Sequence, residues 1–330
     1  MDQTFQINKM KNFFAKNAIY MVLVVLVLII GMLNKNFLQI NNLTNVLMIA
    51  SVRIIIALGV GGILITKGTD LSSGRTVGLT ACVAASLMQR ADYADKMYKN
   101  LPNLPIIAAI VAAVIVGMVI GLINGSVVSF LKVPPFIATL GTMVIVYGAS
   151  SMYTKAKPIG GLRDDFTNLA TGKNVLIPNI IFIAIIIMII IWFLLNKTVF
   201  GKNIYAIGGN PVAAEVSGVK VEANLLKIYI LAGALYGLAG TLLAARTGGA
   251  TNNYGLMYEL DAIAAATIGG VSTSGGIGKV SGIITGVLIF EVLNNGLVIL
   301  GVDTNAQNIV KGIIIITAVA LDIRKYLAKK

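Results

Sequence analysis

The chain has 330 residues, of which 57% are hydrophobic and only 12% charged, against about 25% charged residues in an ordinary soluble domain. The mean hydropathy of +0.88 excludes a typical soluble enzyme, a disordered chain and a disulfide-rich secreted domain. Lys and Arg total 26 against 13 Asp and Glu, a net charge of +13; in so apolar a chain this excess reads as basic loops held at the cytoplasmic face of a membrane, with no call for nucleic acid. There is no His, so a His metal ligand, haem ligand or general base is excluded, and no cofactor, metal or catalytic residue is expected. Cys82, in an apolar stretch, reads as a small buried hydrophobe.

The apolar runs are continuous where a barrel would alternate, so the class is an all-α polytopic membrane protein. Lys9, Lys11 and Lys16 before an apolar run mimic a signal peptide, but no small-residue cleavage pattern follows, and the run reads as a first crossing. The pattern predicts about ten crossings, near 18–33, 46–66, 75–89, 105–123, 135–154, 177–195, 225–245, 260–275, 280–299 and 306–322. Those near 75–89, 260–275 and 306–322 are short or rich in Gly, Ala, Ser and Thr, a composition suited to packing against other helices. With a cytoplasmic N-terminus, the inside segments hold 15 Lys and Arg and the outside segments 9. That bias predicts both termini inside, as would an eight-helix arrangement. Residues 1–330 form one transmembrane domain whose longest cytoplasmic connection is 196–224.

Four segments carry more pattern than the rest. In Thr66–Arg75, Asp70 lies among glycines and hydroxyl residues between two apolar runs. It reads either as the cap of the next helix in a cytoplasmic turn or as part of a broken helix whose free backbone groups line a pathway. Pro134 and Pro135 open the 135–154 crossing. Upstream, Gly117, Gly121 and Gly125 recur every four residues and form either a close-packing face or part of the path. Ser72, Asn124 and Thr139, small polar residues at glycine- or proline-marked helix ends, are the candidates for the translocation path.

In 196–224, Asn210 and Pro211 read as the cap and first residue of a helix of two turns at most, stopped by Gly218. Such a short, mostly uncharged helix docks either on its own membrane domain or in a groove of a partner subunit, with Ala213, Ala214 and Val216 suited to the groove. In Tyr258–Gly278, two acids open an Ala-rich helix, and a glycine-rich exit lacks the Lys-Ser or Lys-Thr of a phosphate loop. No Walker A pattern occurs anywhere in the chain. Glu259 and Asp261 are spaced to diverge on a helix. Glu291 lies inside a crossing and is either a proton or ion site or a structural partner of Arg53 or Lys311.

Taken together, Ser51–Val60, Lys67–Ser72, Pro135–Thr142, Phe200–Gly218 and Tyr258–Gly276 resemble the permease subunits of bacterial ABC importers of the ribose, galactose and xylose branch, over nearly the whole chain. Ser73 stands where the branch is expected to carry Ala. The resemblance implies a subunit of the bacterial cytoplasmic (inner) membrane working as a homodimer, with a cytoplasmic ATPase and an extracytoplasmic sugar-binding protein. The implied cargo is galactose, methyl-galactoside or a related monosaccharide. It also implies that Gly201, Gly208, Gly209, Asn210, Ala213, Ala214, Glu215, Ser217 and Gly218 lie in the segment that meets the ATPase. The alternatives are an ion-coupled secondary transporter, which would need matching broken helices in two inverted repeats, and a membrane scaffold without transport.

Overall fold

The computed structural model describes residues 2–174 and 177–327. Its helices are α1 (Asp2–Leu33), α2 (Ile40–Ile65), α3 (Ser73–Leu87), α4 (Ile106–Ser129), α5 (Pro135–Thr154), α6 (Asp164–Thr171), α7 (Asn179–Lys197), α8 (Val199–Gly209), α9 (Pro211–Val216), α10 (Val221–Thr247), α11 (Tyr258–Ile268), α12 (Val280–Ile299) and α13 (Thr304–Leu327). A 3-10 turn, Lys35–Leu38, joins α1 to α2, and a two-residue hairpin pairs β1 (Lys173–Asn174) with β2 (Ile177–Pro178).

Among the described residues, seven helices are long and apolar enough to cross a membrane: α2, α4, α5, α7, α10, α12 and α13; the apolar stretch Asn17–Leu33 of α1 is slightly shorter. The expected crossings near 75–89 and 260–275 are only partly helical. Here α3 has 15 residues and α11 has 11. At 1.5 Å per residue these cover about 22 and about 17 Å, short of the about 30 Å hydrocarbon layer. Both are half-length helices preceded by irregular chain. The reason is local: Thr66–Ser72 and Gly248–Met257 hold glycines and positive-φ residues, Lys67 (φ 64), Gly248 (φ 71), Gly255 (φ 77) and Met257 (φ 64), which a continuous helix cannot accommodate.

The core is built on α2 and α10, which the other helices cover. Glycines set the closest approach. A Cβ on Gly117 would lie 2.1 Å from the Gly233 carbonyl oxygen, and one on Gly121 2.3 Å from that of Tyr229. The glycine row on α4 is therefore its packing face against α10, where backbone meets backbone. In α4, α5 and α7 the opposite faces are apolar and outward, as at Ile115, Val144 and Ile186. On the surface turns, Arg163 hydrogen-bonds the Asp165 carboxylate and holds its pKa below the usual carboxylate range.

Candidate functional site

The break between α2 and α3 is internal, which corrects the reading of Thr66–Arg75 as a water-facing turn with Asp70 capping the next helix. Asp70 is buried, as are Ser72 and Ser73, and Ser72, not Asp70, occupies the cap position of α3. Asp70 Oδ1 accepts from the Ser72 amide at 2.9 Å and the Ser72 hydroxyl at 2.7 Å. The rest of the break is satisfied by α4 and α5. Asn124 Nδ2 donates to Ser72 Oγ at 2.8 Å. Thr139 Oγ1 accepts from the Leu71 amide at 3.1 Å and lies 2.8 Å from the Pro135 carbonyl and 3.2 Å from that of Thr69.

Ser72, Asn124 and Thr139 thus meet at one place although they lie far apart in sequence. All three are sealed inside the chain, at 0%, 1% and 0% exposure. They pin the broken strand of backbone, a requirement of irregular chain at membrane depth.

The first turn of α11 carries two acids, Glu259 and Asp261. Asp261 Oδ2 lies 3.1 Å from Arg53 Nη1 and 3.7 Å from Lys311 Nζ, and Arg53 Nη1 lies 2.5 Å from Glu291 Oε1. Glu291 therefore pairs with Arg53, while Lys311 serves Asp261, and four helices (α2, α11, α12 and α13) are tied through one cluster. Glu259 points elsewhere, as its spacing from Asp261 requires: its carboxylate lies against Gly74, where a Cβ would approach Oε2 to 2.2 Å. The glycine-rich exit offers no open anion site. Asp322 Oδ2 accepts the Thr273 amide at 2.9 Å, the Thr273 hydroxyl at 3.0 Å and the Ser272 hydroxyl at 3.1 Å.

The connection between α7 and α10 divides into two parts, α8 and α9. Asn210 Oδ1 accepts the Ala213 amide at 3.1 Å, Pro211 is the first residue of α9, and Gly218 (φ +85) turns the chain after it. Around α9, Ala213, Glu215, Ser217 and Gly218 are exposed, whereas Ala214 is buried on the chain's own Ile207 and Val221. Its expected place in a partner's groove is corrected, because one face of so short a helix must rest on the domain that bears it. The outward apolar residues are Val216, 85% exposed, and Val212, 68% exposed; Val212 escaped the sequence reading although it is the branched residue of the first turn.

Gly201 and Gly208 are also turned inward. A Cβ on Gly201 would lie 2.1 Å from the Leu195 carbonyl oxygen; one on Gly208 would lie 1.7 Å from that of Ile65 and 2.5 Å from the Gly276 amide. Around Gly208 the Gly276 amide donates to the Ile65 carbonyl at 2.8 Å, Lys67 Nζ to the Gly209 carbonyl at 3.2 Å and the Tyr205 hydroxyl to the Gly278 carbonyl at 3.0 Å. The break after α2 and the glycine-rich loop after α11 thus both attach to α8. Burial pushes the Tyr205 phenol above its ordinary value. Gly209 is exposed with open space at its Cβ and a negative φ, so a side chain there brings none of the turn strain that its position beside Asn210 suggests.

Comparison with known proteins agrees with this architecture. Residues 42–319 match the family model described as branched-chain amino acid transport system / permease component. The chain is 53% identical over 322 residues to the galactose/methyl galactoside import permease protein MglC of Escherichia coli K12, covering 96% of each chain. It is 49% identical over 330 residues to the Haemophilus influenzae protein of the same name, covering 98% of each. With the ribose import permease protein RbsC of Bacillus subtilis it shares 41% identity over 308 residues, 93% of this chain and 92% of that one. No solved structure matches it significantly. A family match over most of the chain, on a helical fold with broken membrane helices, establishes that the chain belongs to the branched-chain amino acid transport system / permease component family.

Proposed function

We propose that this chain is the transmembrane permease of an ATP-driven sugar importer in the bacterial cytoplasmic membrane, carrying galactose, methyl-galactoside or a related monosaccharide. The observation that carries this reading is the 53% identity with the galactose/methyl galactoside permease over 96% of both chains. The chain has no Walker A sequence, and in this reading a separate cytoplasmic ATPase supplies the energy. An extracytoplasmic binding protein delivers the sugar, and a second permease copy completes the passage. The ion-coupled reading loses its best carrier, since Glu291 is engaged by Arg53 at 2.5 Å.

In this reading α9 is the coupling element. Its exposed Val212, Ala213 and Val216 enter an apolar groove on the ATPase, and Glu215 meets the rim of that groove. The face is small and uncharged at its centre, as the middle of a protein contact should be. Val216→Asp and Ala213→Arg place an unpaired charge in that contact. Each is expected to lower ATPase co-purification at least tenfold while the permease still reaches the membrane. Wild-type co-purification and sugar-stimulated hydrolysis in both would remove α9 from the coupling role.

The orientation follows from the basic-residue bias and places 196–224 in the cytoplasm with both termini. Reporter fusions at Asn210 are expected to read as cytoplasmic and those at Arg163 as external. The reverse pattern would invert the arrangement and leave α9 out of reach of a cytoplasmic ATPase.

A further inference from the structure

Among the charges described on the membrane helices, Arg75 is held without a direct ion pair. It is the third residue of α3. The far end of that helix is fixed outside, where the Arg163 amide at the start of α6 donates to the Met88 carbonyl at 2.9 Å. Met88 lies thirteen positions beyond Arg75, or about 20 Å along the helix, in a layer about 30 Å thick. Thr80 lies 3.2 Å from the Tyr236 carbonyl, beside the middle of α10, which sets the same depth. Arg75 therefore sits deep in the layer and cannot belong to a cytoplasmic loop, where the charge count had placed it.

Arg53 and Lys311 at membrane depth face carboxylates. Among the described residues no carboxylate oxygen lies within 4.0 Å of Arg75. Its guanidinium lies over the Tyr147 ring at 4.4 Å, and Nη1 is 3.5 Å from the Asn252 carbonyl. Asn252 Nδ2 in turn donates to Ser151 Oγ at 3.0 Å. This strip, from α3, α5 and the Gly248–Met257 segment, lies at the outer boundary of the chain: Arg75, Ser151 and Asn252 are partly exposed and Tyr147 is 40% exposed. The Glu259 carboxylate, against the neighbouring Gly74, attracts Arg75 from beyond ion-pair distance; a partly exposed arginine without a direct ion pair at this depth is disfavoured against lipid and marks a water-filled path. Direct packing on a second copy's identical strip would set like charges together, so a hydrated gap is the arrangement that the charge tolerates.

We infer that Arg75, Tyr147, Ser151 and Asn252 line the sugar path, in place of the sealed Ser72, Asn124 and Thr139. This deepens, and rests on, the sugar-permease reading. The chemistry suits a neutral polyhydroxyl ligand. Guanidinium and amide donate to hydroxyl oxygens, Ser151 both donates and accepts, and the Tyr147 ring offers an apolar face to the C–H side of a pyranose. Few polar groups on an aromatic wall give recognition without tight retention.

The test uses the full permease with its ATPase and binding protein in proteoliposomes, on a Cys82→Ala background that removes the single native thiol. Cysteines at Tyr147, Ser151 and Asn252 are compared with Ile186→Cys on the lipid face of α7 and Ser72→Cys in the sealed break. An anionic methanethiosulfonate is expected to label the first three at least tenfold faster than either control, and D-galactose with ATP to slow that labelling. Separately, Arg75→Ala is expected to lower the maximum galactose uptake rate at least tenfold, with ATPase co-purification unchanged and Arg75→Lys partly restoring the rate. Labelling of all three no faster than Ile186→Cys, in a complex that imports galactose, overturns this path and leaves the permease reading intact. So does a spontaneous Asn252→Cys disulfide between copies without labelling. A parent complex that imports no galactose, methyl-galactoside or related monosaccharide overturns the permease reading itself.

Discussion

Gly208→Val is expected to abolish sugar uptake while leaving the ATPase bound. The outward face of α9 is untouched by the change, so the docking contact persists. Inside, a Cβ would stand 1.7 Å from the Ile65 carbonyl oxygen and 2.5 Å from the Gly276 amide. Neither obstacle is a flexible side-chain end, so relief requires α8 to move away from the ends of α2 and of the loop after α11. The Gly276–Ile65 bond at 2.8 Å and the Tyr205–Gly278 bond at 3.0 Å lie in the same junction. Overpacking of this kind costs about 1–3 kcal/mol, and more where backbone must shift. Gly208→Ala should show the same defect in milder form. Membrane level, co-purified ATPase, sugar-stimulated hydrolysis and uptake are measured together. Uptake at the parental rate in Gly208→Val would mean that α8, the end of α2 and the loop after α11 do not move as one body.

Arg53→Ala should be the most destabilising single substitution in the membrane domain. It leaves Glu291, 4% exposed in its side chain, without its cation and leaves Asp261 with Lys311 alone at 3.7 Å. Removing one partner of a buried ion pair costs about 3–5 kcal/mol, because the remaining charge stays desolvated. Glu291→Gln should be milder, since Arg53 keeps Asp261 at 3.1 Å, and uptake should remain ATP-dependent. Arg53→Met with Glu291→Met removes both charges and keeps the Asp261–Lys311 pair. That double variant should recover most of the stability lost in Arg53→Ala, as apolar replacements of buried pairs do. Thermal melting of the purified permease and its membrane yield check the series. If Arg53→Ala melts like the parent, the cluster does not hold α2, α11, α12 and α13 together. If Glu291→Gln turns uptake into a proton-driven process, the structural role of Glu291 is wrong.

Some of this was readable along the chain because the signals are local. Asn210-Pro211 before a short helix, with Gly218 after it, needs only the geometry of a cap, a first turn and a positive φ. The row Gly117, Gly121, Gly125 announces a packing face by helical period alone, though not that α10 is its partner. The half-length of α3 and α11 was harder. Their Ala- and Gly-rich stretches are apolar enough to pass as crossings, and the breaks before them show only as scattered glycines.

The sequence by itself determined the class, most of the long apolar helices and the position of the short helix after Asn210-Pro211. Transfer free energy from water to hydrocarbon adds residue by residue, and caps act within one turn. The tertiary structure alone decided which polar residues are sealed and which face outward. Ser72, Asn124 and Thr139 looked like path residues but are hydrogen-bonded to one another's elements across the fold. Arg75 looked like a loop charge but belongs to α3 and lies over the Tyr147 ring. Arg53 found Asp261 across 208 positions, and Gly208 found the end of α2. A side chain's partner depends on which helices pack together, and that packing is fixed by contacts between distant segments, which no periodicity along the chain encodes.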